Sequence, residues 1–331
     1  MKDSEKIVRD NNDDGIDRAG FIKCMAWAGT GILWMMNGGV MKSFGMSQMI
    51  DKATGGLKKG LIIPAADFSF VQISDSHIGF NKQANPDVIG TLQAAVSKIN
   101  GMPQAPSFVL HTGDLTHLAQ PEEFDTLGQV LKSVKTERIF YVPGEHDVLN
   151  GDNKTYMERY GQGTKGDGWY SFDSHGVHFI GLVNVINTSE GGLGFIGDAQ
   201  LSWLEQDLNP LSASTPIVVF AHIPLWAVYP QWGWGTRDSE RALSLLRRFG
   251  SVTVLNGHIH QTMQKVEGNI TFHTACSTAF PQPQPGAAAA PGPMKVPAEK
   301  LRDLLGLTSV HYQEHDHTLA ITDTALVNSS L

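Results

Sequence analysis

The chain has 331 residues, 41% hydrophobic and 18% charged, the balance of an ordinary globular protein able to bury a full core. Its net charge of -8 gives no general attraction to nucleic acid or anionic lipid, so an anionic ligand has to be held locally. Two cysteines, Cys24 and Cys276, exclude a disulfide framework as the basis of the fold.

Residues 1–65 differ from the rest. A charged start leads into Asp17-Arg18-Ala19-Gly20-Phe21-Ile22-Lys23, after which Cys24 to Met41 carries no charged side chain. This arrangement resembles a twin-arginine export signal, with Ala19 where the second arginine belongs, and implies export to the periplasm. An uncleaved membrane anchor and a cytoplasmic N-terminal helix are the alternative readings of the same stretch.

From residue 66 to 280, strand-like and helix-like runs alternate. Apolar runs at Phe68–Ile73, Ser107–Leu110, Arg138–Val142, Pro216–Phe220 and Ser251–Leu255 read as strands, and Pro86–Ile99, Pro121–Val134, Gly197–Leu208 and Arg237–Phe249 read as helices. A hairpin over Trp169–Val183, turning at Ser174–Gly176, adds antiparallel pairing, so the expected class is α/β with sheets of mixed direction. Residues 281–331 form a third region. It opens with a Pro- and Ala-rich stretch that cannot pack a core, then gives a short helix over Pro297–Leu305 and two strands packing on the central domain.

Five polar motifs stand where strand runs stop: Asp75-Ser-His77, Gly113-Asp114, Gly144-Glu145-His146-Asp147, Ala221-His222 and Gly257-His258-Ile-His260. Ligands of α/β sheets collect outside the carboxyl ends of strands, so one crevice can hold all five. Strand alternation puts Asp75 and His77 on one side, and likewise His258 and His260. Carboxylates and imidazoles in this number suit two cations held close together, with Asp114 as the natural bridge. Glu145, His222 and His258 can complete the second ion, while His260 returns to the first.

Taken together and in this order, the motifs resemble those of the calcineurin-like metallophosphoesterase superfamily, over Phe68 to His260. The resemblance implies a four-layer α/β/β/α sandwich and a metal-dependent phosphoric ester hydrolase with two ions of iron, manganese or zinc. Carried over by position, Asp75, His77, Asp114 and His260 bind the first metal, and Asp114, Glu145, His222 and His258 the second. A metal-bound hydroxide would then attack phosphorus in line with the leaving oxygen. His146 would contact the phosphate and assist the leaving group, with Asp147 beside it as an orienter. Glu145 departs from the family's asparagine, and its added negative charge implies tighter metal retention with reduced Lewis acidity. Residues 114–117 read Asp-Leu-Thr-His and lack the tyrosine that purple acid phosphatases supply to iron.

The expected substrate is a phosphomonoester or phosphodiester of a small organic molecule. The segment from Trp226 to Arg237 leaves a ligand-bearing strand end, so Trp226, Tyr229, Trp232, Trp234 and Arg237 are candidates for a wall around the organic group. The same rings also suit an irregular loop simply pinned onto the domain. His117 is placed to reach the phosphate. His111, His175, His178 and His273 read as structural imidazoles, and His311, His315 and His317 as a solvated turn. A nuclease of the same family and a non-catalytic metal-binding scaffold are the rivals. The acidic balance argues against nucleic acid, and the complete ligand set favours catalysis.

Overall fold

The computed structural model describes residues 32–37, 40–45, 68–188, 191–313 and 318–327. Two short strands, β1 (Ile32–Asn37) and β2 (Val40–Gly45), pair antiparallel by themselves. The arginine-containing motif and the remainder of residues 1–67 lie outside the described residues, as do His315 and His317. Among the described residues no helix is long and apolar enough to cross a membrane.

The elements that follow are β3 (Phe68–Ile73), α1 (Val88–Asn100), β4 (Phe108–His111), α2 (Pro121–Leu131), β5 (Ile139–Tyr141) and α3 (Lys154–Tyr160). Next come β6 (Tyr170–Ser174), β7 (Val177–Gly181), α4 (Asp198–Leu208), β8 (Ile217–Phe220), α5 (Ser239–Leu246) and β9 (Val252–Asn256). The chain closes with β10 (Met263–Glu267), β11 (Ile270–Thr274), α6 (Ala298–Leu304), β12 (Gly306–Gln313) and β13 (Thr318–Ala325). One sheet runs β10-β11-β9-β8-β7-β6 and the other β13-β12-β3-β4-β5. Both are mixed: β3-β4-β5 and β7-β8-β9-β11 pair parallel, while hairpins and β12 supply the antiparallel edges.

Side-chain alternation builds the layers. On β3, Phe68 and Phe70 point at the other sheet while Val71 and Ile73 point at helices, and on β8 Val218 and Phe220 oppose Ile217 and Val219 in the same way. Phe70, Phe108, Phe179 and Phe220 therefore pack a core between the sheets. Helices α1, α2, α3 and α6 cover the outer face of the five-stranded sheet through residues such as Leu92, Phe124, Tyr156 and Leu301. Helices α4 and α5 cover the six-stranded sheet through Leu204 and Leu246. The result is the expected α/β/β/α sandwich.

The C-terminal strands enter the sheet itself. β12 lies antiparallel to β3, from Thr308 opposite Gln72 to Tyr312 opposite Phe68, so residues beyond 300 complete the layer that carries the first motif. The Pro- and Ala-rich stretch forms a loop whose base is tied by the Met294 amide donating to the Pro281 carbonyl at 2.8 Å.

Candidate metal centre and cavity

Each motif follows the carboxyl end of a parallel strand, and backbone bonds lock the loops to one another. The amides of Asp75 and His77 donate to the carbonyls of Gly113 (3.0 Å) and Asp114 (2.9 Å), and the Gly257 amide donates to the His222 carbonyl at 3.0 Å. Asp75, His77, Asp114, His258 and His260 all take left-handed backbone, with φ of 55°, 41°, 50°, 70° and 55°. Such residues are strained, and strain gathered in this way marks a site that the surrounding fold over-determines. Glycines precede Asp114, Glu145 and His258, and each lies where a side chain would meet another loop of the site. A Cβ on Gly144 would lie 2.1 Å from Asp114 Oδ1.

Two donor groups result. Asp75, His77, Asp114 and His260 converge with ligand atoms within 4.8 Å of one another, and so do Glu145, His222 and His258. In the first group His77 Nε2 lies 3.2 Å from His260 Nε2 and 3.4 Å from Asp114 Oδ2, and His260 Nε2 lies 3.2 Å from Asp75 Oδ1. In the second, Glu145 Oε2 lies 2.8 Å from His222 Nε2 and Glu145 Oε1 lies 2.9 Å from His258 Nδ1. Asp114 Oδ2 is 3.4 Å from both His77 Nε2 and His222 Nε2, which places it between the two groups.

These residues fit a pair of cations. His260 Nδ1 donates to the Phe280 carbonyl at 2.5 Å and His222 Nδ1 to the Thr112 carbonyl at 2.7 Å, which leaves each Nε2 lone pair aimed inward. His222 Nε2 and Glu145 Oε2 are buried and face each other without hydrogen-bonding geometry, as two donors sharing one ion do. Burial disfavours a charged His222, yet Asp114 and Glu145 outweigh it and hold its pKa well above the ordinary imidazole value. The same negative field attracts a cation.

His146 stands at the edge of this centre. Its amide donates to Asp114 Oδ1 at 2.9 Å, and its Nδ1 donates to the His117 carbonyl at 2.8 Å, so Nε2 faces the cavity. Burial lowers its pKa, but Asp114 and Glu145 raise it further and the net direction is upward. The His117 ring stacks on the His146 ring, centroids 4.8 Å apart and planes 17° apart, and is pushed down to about 4 by burial and by His146. His117 is therefore a neutral member of the wall.

Asp147 occupies a different place from the one expected. It is fully buried, and its carboxylate accepts from the amides of Leu115 (3.0 Å), Thr116 (2.8 Å) and Gly144 (2.9 Å) and from the Thr116 hydroxyl (2.8 Å). It staples the β4 loop to the β5 loop, while the His117 carbonyl orients His146. The sequence held Asp147 next to His146, but adjacent side chains leave a 3₁₀ turn in different directions.

A cavity of about 370 Å³ opens over the ligands. Of the five aromatic-loop candidates, Trp232 and Trp234 line it. The other three are elsewhere. Trp226 packs on Phe272 at 5.1 Å, Tyr229 packs edge-on against Trp232 at 5.2 Å, and the Arg237 guanidinium lies 4.4 Å over Phe195. The loop thus does both jobs, one wall and one anchor. Sequence reading missed Phe80, Lys82, Thr188, Gly192, Phe280, Gln282 and the Pro291-Gly292-Pro293 turn, which complete the lining. Lys82 lies four residues after Ile78, which bridges to Thr116 in the β4 loop, a spacing without any motif of its own. The structural histidines behave as expected. His111 is fully buried against Ser76 Oγ at 2.7 Å, His175 stacks on Phe68 at 4.4 Å, His178 bonds Asp173 and Asp207, and His273 bonds Asp323.

A family model described as calcineurin-like phosphoesterase matches residues 68–262. Among curated proteins, the probable glycerophosphodiester phosphodiesterase GpdQ of Arcobacter nitrofigilis is 27% identical over 226 residues, 62% of this chain and 77% of that protein. The serine/threonine-protein phosphatase CPPED1 of Mus musculus is 32% identical over 219 residues, 59% of this chain and 70% of that protein. Among solved structures, a dimetal phosphatase from Danio rerio superposes with a TM-score of 0.60 at 17% identity, covering 80% of this chain and 98% of that one. This last likeness bears on the fold.

Proposed function

The chain belongs to the calcineurin-like phosphoesterase family, and from that premise we propose that this metal-dependent phosphoric ester hydrolase cleaves phosphodiesters of small organic molecules. The observation that carries the choice of diester is the charge of the cavity wall. Among the described residues Lys82 is the one lysine or arginine lining it, and the rest of the lining beyond the candidate ligands is dominated by Phe80, Phe280, Trp232, Trp234, Pro291 and Pro293. A monoester arrives as a dianion and calls for more positive charge than a diester, which carries a single negative charge and brings apolar surface to bury.

Two cations held at these residues would supply Lewis acidity at the phosphoryl oxygens and lower the pKa of a bound water. The chain does the rest. Asp75, His77 and His260 would hold the ion on one side and Glu145, His222 and His258 the ion on the other, with Asp114 contributing to both. Phosphorus gains an oxygen from water as its bond to the leaving alcohol's oxygen breaks. His146, with Nδ1 engaged by the His117 carbonyl, gives the leaving oxygen a proton from Nε2, and a water proton passes to solvent. The aromatic and proline walls exclude water from the leaving group's side.

Export by way of the leader belongs to the same reading and is tested by cell fractionation of the full chain with and without Arg18. For the chemistry, the test is hydrolysis of bis(p-nitrophenyl) phosphate against p-nitrophenyl phosphate after reconstitution with manganese, zinc or iron, with Asp114→Asn as control. Metal-dependent turnover favouring the diester supports the proposal. A preference for the monoester refutes the choice of substrate, and turnover that survives in the control refutes the site.

A further inference from the structure

The turn that follows the first ligand loop carries a lysine to the rim of the cavity, where Lys82 is exposed and yet part of the lining. Its backbone is fixed. The Asn85 amide donates to the Lys82 carbonyl at 3.0 Å, and the buried Asn85 side chain donates to the Ala279 carbonyl at 2.6 Å, beside Phe280. The Lys82 ammonium stands 5.9 Å from the centre of the Phe80 ring. Next in sequence, Gln83 Oε1 accepts from Lys295 Nζ at 3.3 Å, which ties a second ammonium, from the Pro-rich loop, to the same turn. In a chain of net charge -8, two lysines are thereby gathered at one edge of the opening.

That edge lies on the proton donor's side. The His117 ring stacks on His146 with centroids 4.8 Å apart, Phe80 meets His117 edge-on at 5.2 Å, and the Lys82 ammonium stands beyond Phe80. All four side chains line the cavity. An alcohol whose oxygen takes the His146 proton therefore has a continuous aromatic face to lie along, with a positive charge at its far end.

We propose that Lys82 and Lys295 form a subsite for an anionic group, a carboxylate or a phosphate, carried on the arm of the substrate that is released. The inference rests on the reading of His146 as the donor to the leaving oxygen, and it holds for a monoester or a diester alike. The rings of His117 and Phe80 give the arm apolar surface to cover, and the ammonium groups beyond them give its charge a partner. Held at both ends, the arm keeps its ester oxygen against His146 Nε2 while the bond to phosphorus breaks. It then departs with the His146 proton on that oxygen.

The test uses the full chain loaded with metal and phosphate esters of 2-nitrophenol that carry a carboxylate, a phosphonate or a carboxamide para to the ester oxygen, each as the monoester and as the methyl diester. The readout is kcat/KM for a charged arm divided by that for the carboxamide arm. Comparing this ratio between wild type and variants cancels leaving-group acidity and partial misfolding. The ratio should fall about fivefold in Lys82→Met and about twofold in Lys295→Met, the range of partly exposed ion pairs, and high salt should shrink the wild-type preference. Lys132→Met, which removes the same charge at the far end of α2, should keep the wild-type ratio. Ratios unchanged in both mouth variants, or lowered equally in Lys132→Met, would overturn the proposal. A second series puts the charge on the retained arm, as 2-carboxyethyl against 2-carbamoylethyl p-nitrophenyl phosphate. A preference that depends on Lys82 in this series alone would overturn the reading of His146 beneath the proposal.

Discussion

Gly144→Ala is the sharpest test of how the two ligand loops fit together. The added methyl would stand 2.1 Å from Asp114 Oδ1 and 2.2 Å from the Asp114 amide nitrogen, and since the latter is backbone no side-chain rotation relieves the contact. Restoring ordinary van der Waals separation moves one loop by about 1 Å. Metal–ligand distances tolerate about 0.2 Å, so the bridging carboxylate and Glu145 then no longer address the same ion. The overpacking itself costs about 1–3 kcal/mol, and a displacement of about 1 Å lowers catalysis on the order of 10²-fold. The measurements are bound metal per chain by mass spectrometry, kcat/KM on the preferred ester, and chemical denaturation. Gly128→Ala is the matched control, because nothing lies within 4 Å of its Cβ in the middle of α2, and it should stabilise the protein by about 0.5–1 kcal/mol. Retention of two metals and wild-type kcat/KM in Gly144→Ala would refute the geometric reasoning.

Glu145→Asn removes a carboxylate that meets both His222 and His258, and should lower retained metal from two ions towards one after dialysis while raising turnover at saturating metal. Unchanged metal content and turnover would sink the charge argument. His178 tests an imidazole away from the site. Burial disfavours its charged form, but the bonds it donates to Asp207 and Asp173 outweigh this and raise its pKa. A folded-state pKa above the unfolded one gives stability that is fully present below about pH 6.5 and is lost as pH rises through the folded value. His178→Gln should therefore cost about 1.5–3 kcal/mol at pH 6 and less at pH 9, and a pH-independent loss in denaturation would exclude the charged pair. Trp232→Ala should raise KM for aryl esters several-fold with a smaller change in kcat, since the ring lines the cavity and touches no ligand. An equal fall in kcat would place the ring in the chemistry.

The sequence by itself determined the layers and the side chains that converge on the candidate metal centre. The run Ile217–Phe220 is continuously apolar because it is buried on both faces, Phe68–Ile73 is apolar apart from Ser69 and Gln72, and the candidate ligands follow both within a few residues, so local spacing carries both signals. Among the elements that escaped that reading, two did so for plain physical reasons. β10 is an edge strand with four of its five residues exposed and so has no apolar pattern, and α3 is a seven-residue helix whose cap makes no side-chain bond.

What only the tertiary structure decided concerns contacts between segments distant in the chain. The roles of Asp147 and of the His117 carbonyl depend on how the β4 and β5 loops face each other, and adjacency in sequence suggested a different pairing. The aromatic loop divided into lining and anchor because Trp226 found Phe272 and Arg237 found Phe195 on separate elements. The Pro-rich stretch became a wall because Gln261 donates to the Gln282 and Pro283 carbonyls and Gln282 donates to the His258 carbonyl. Ligand identity follows from donor chemistry, which a sequence states outright. Cavity shape follows from where loops without periodicity come to rest, and that is set by partners that no local pattern names.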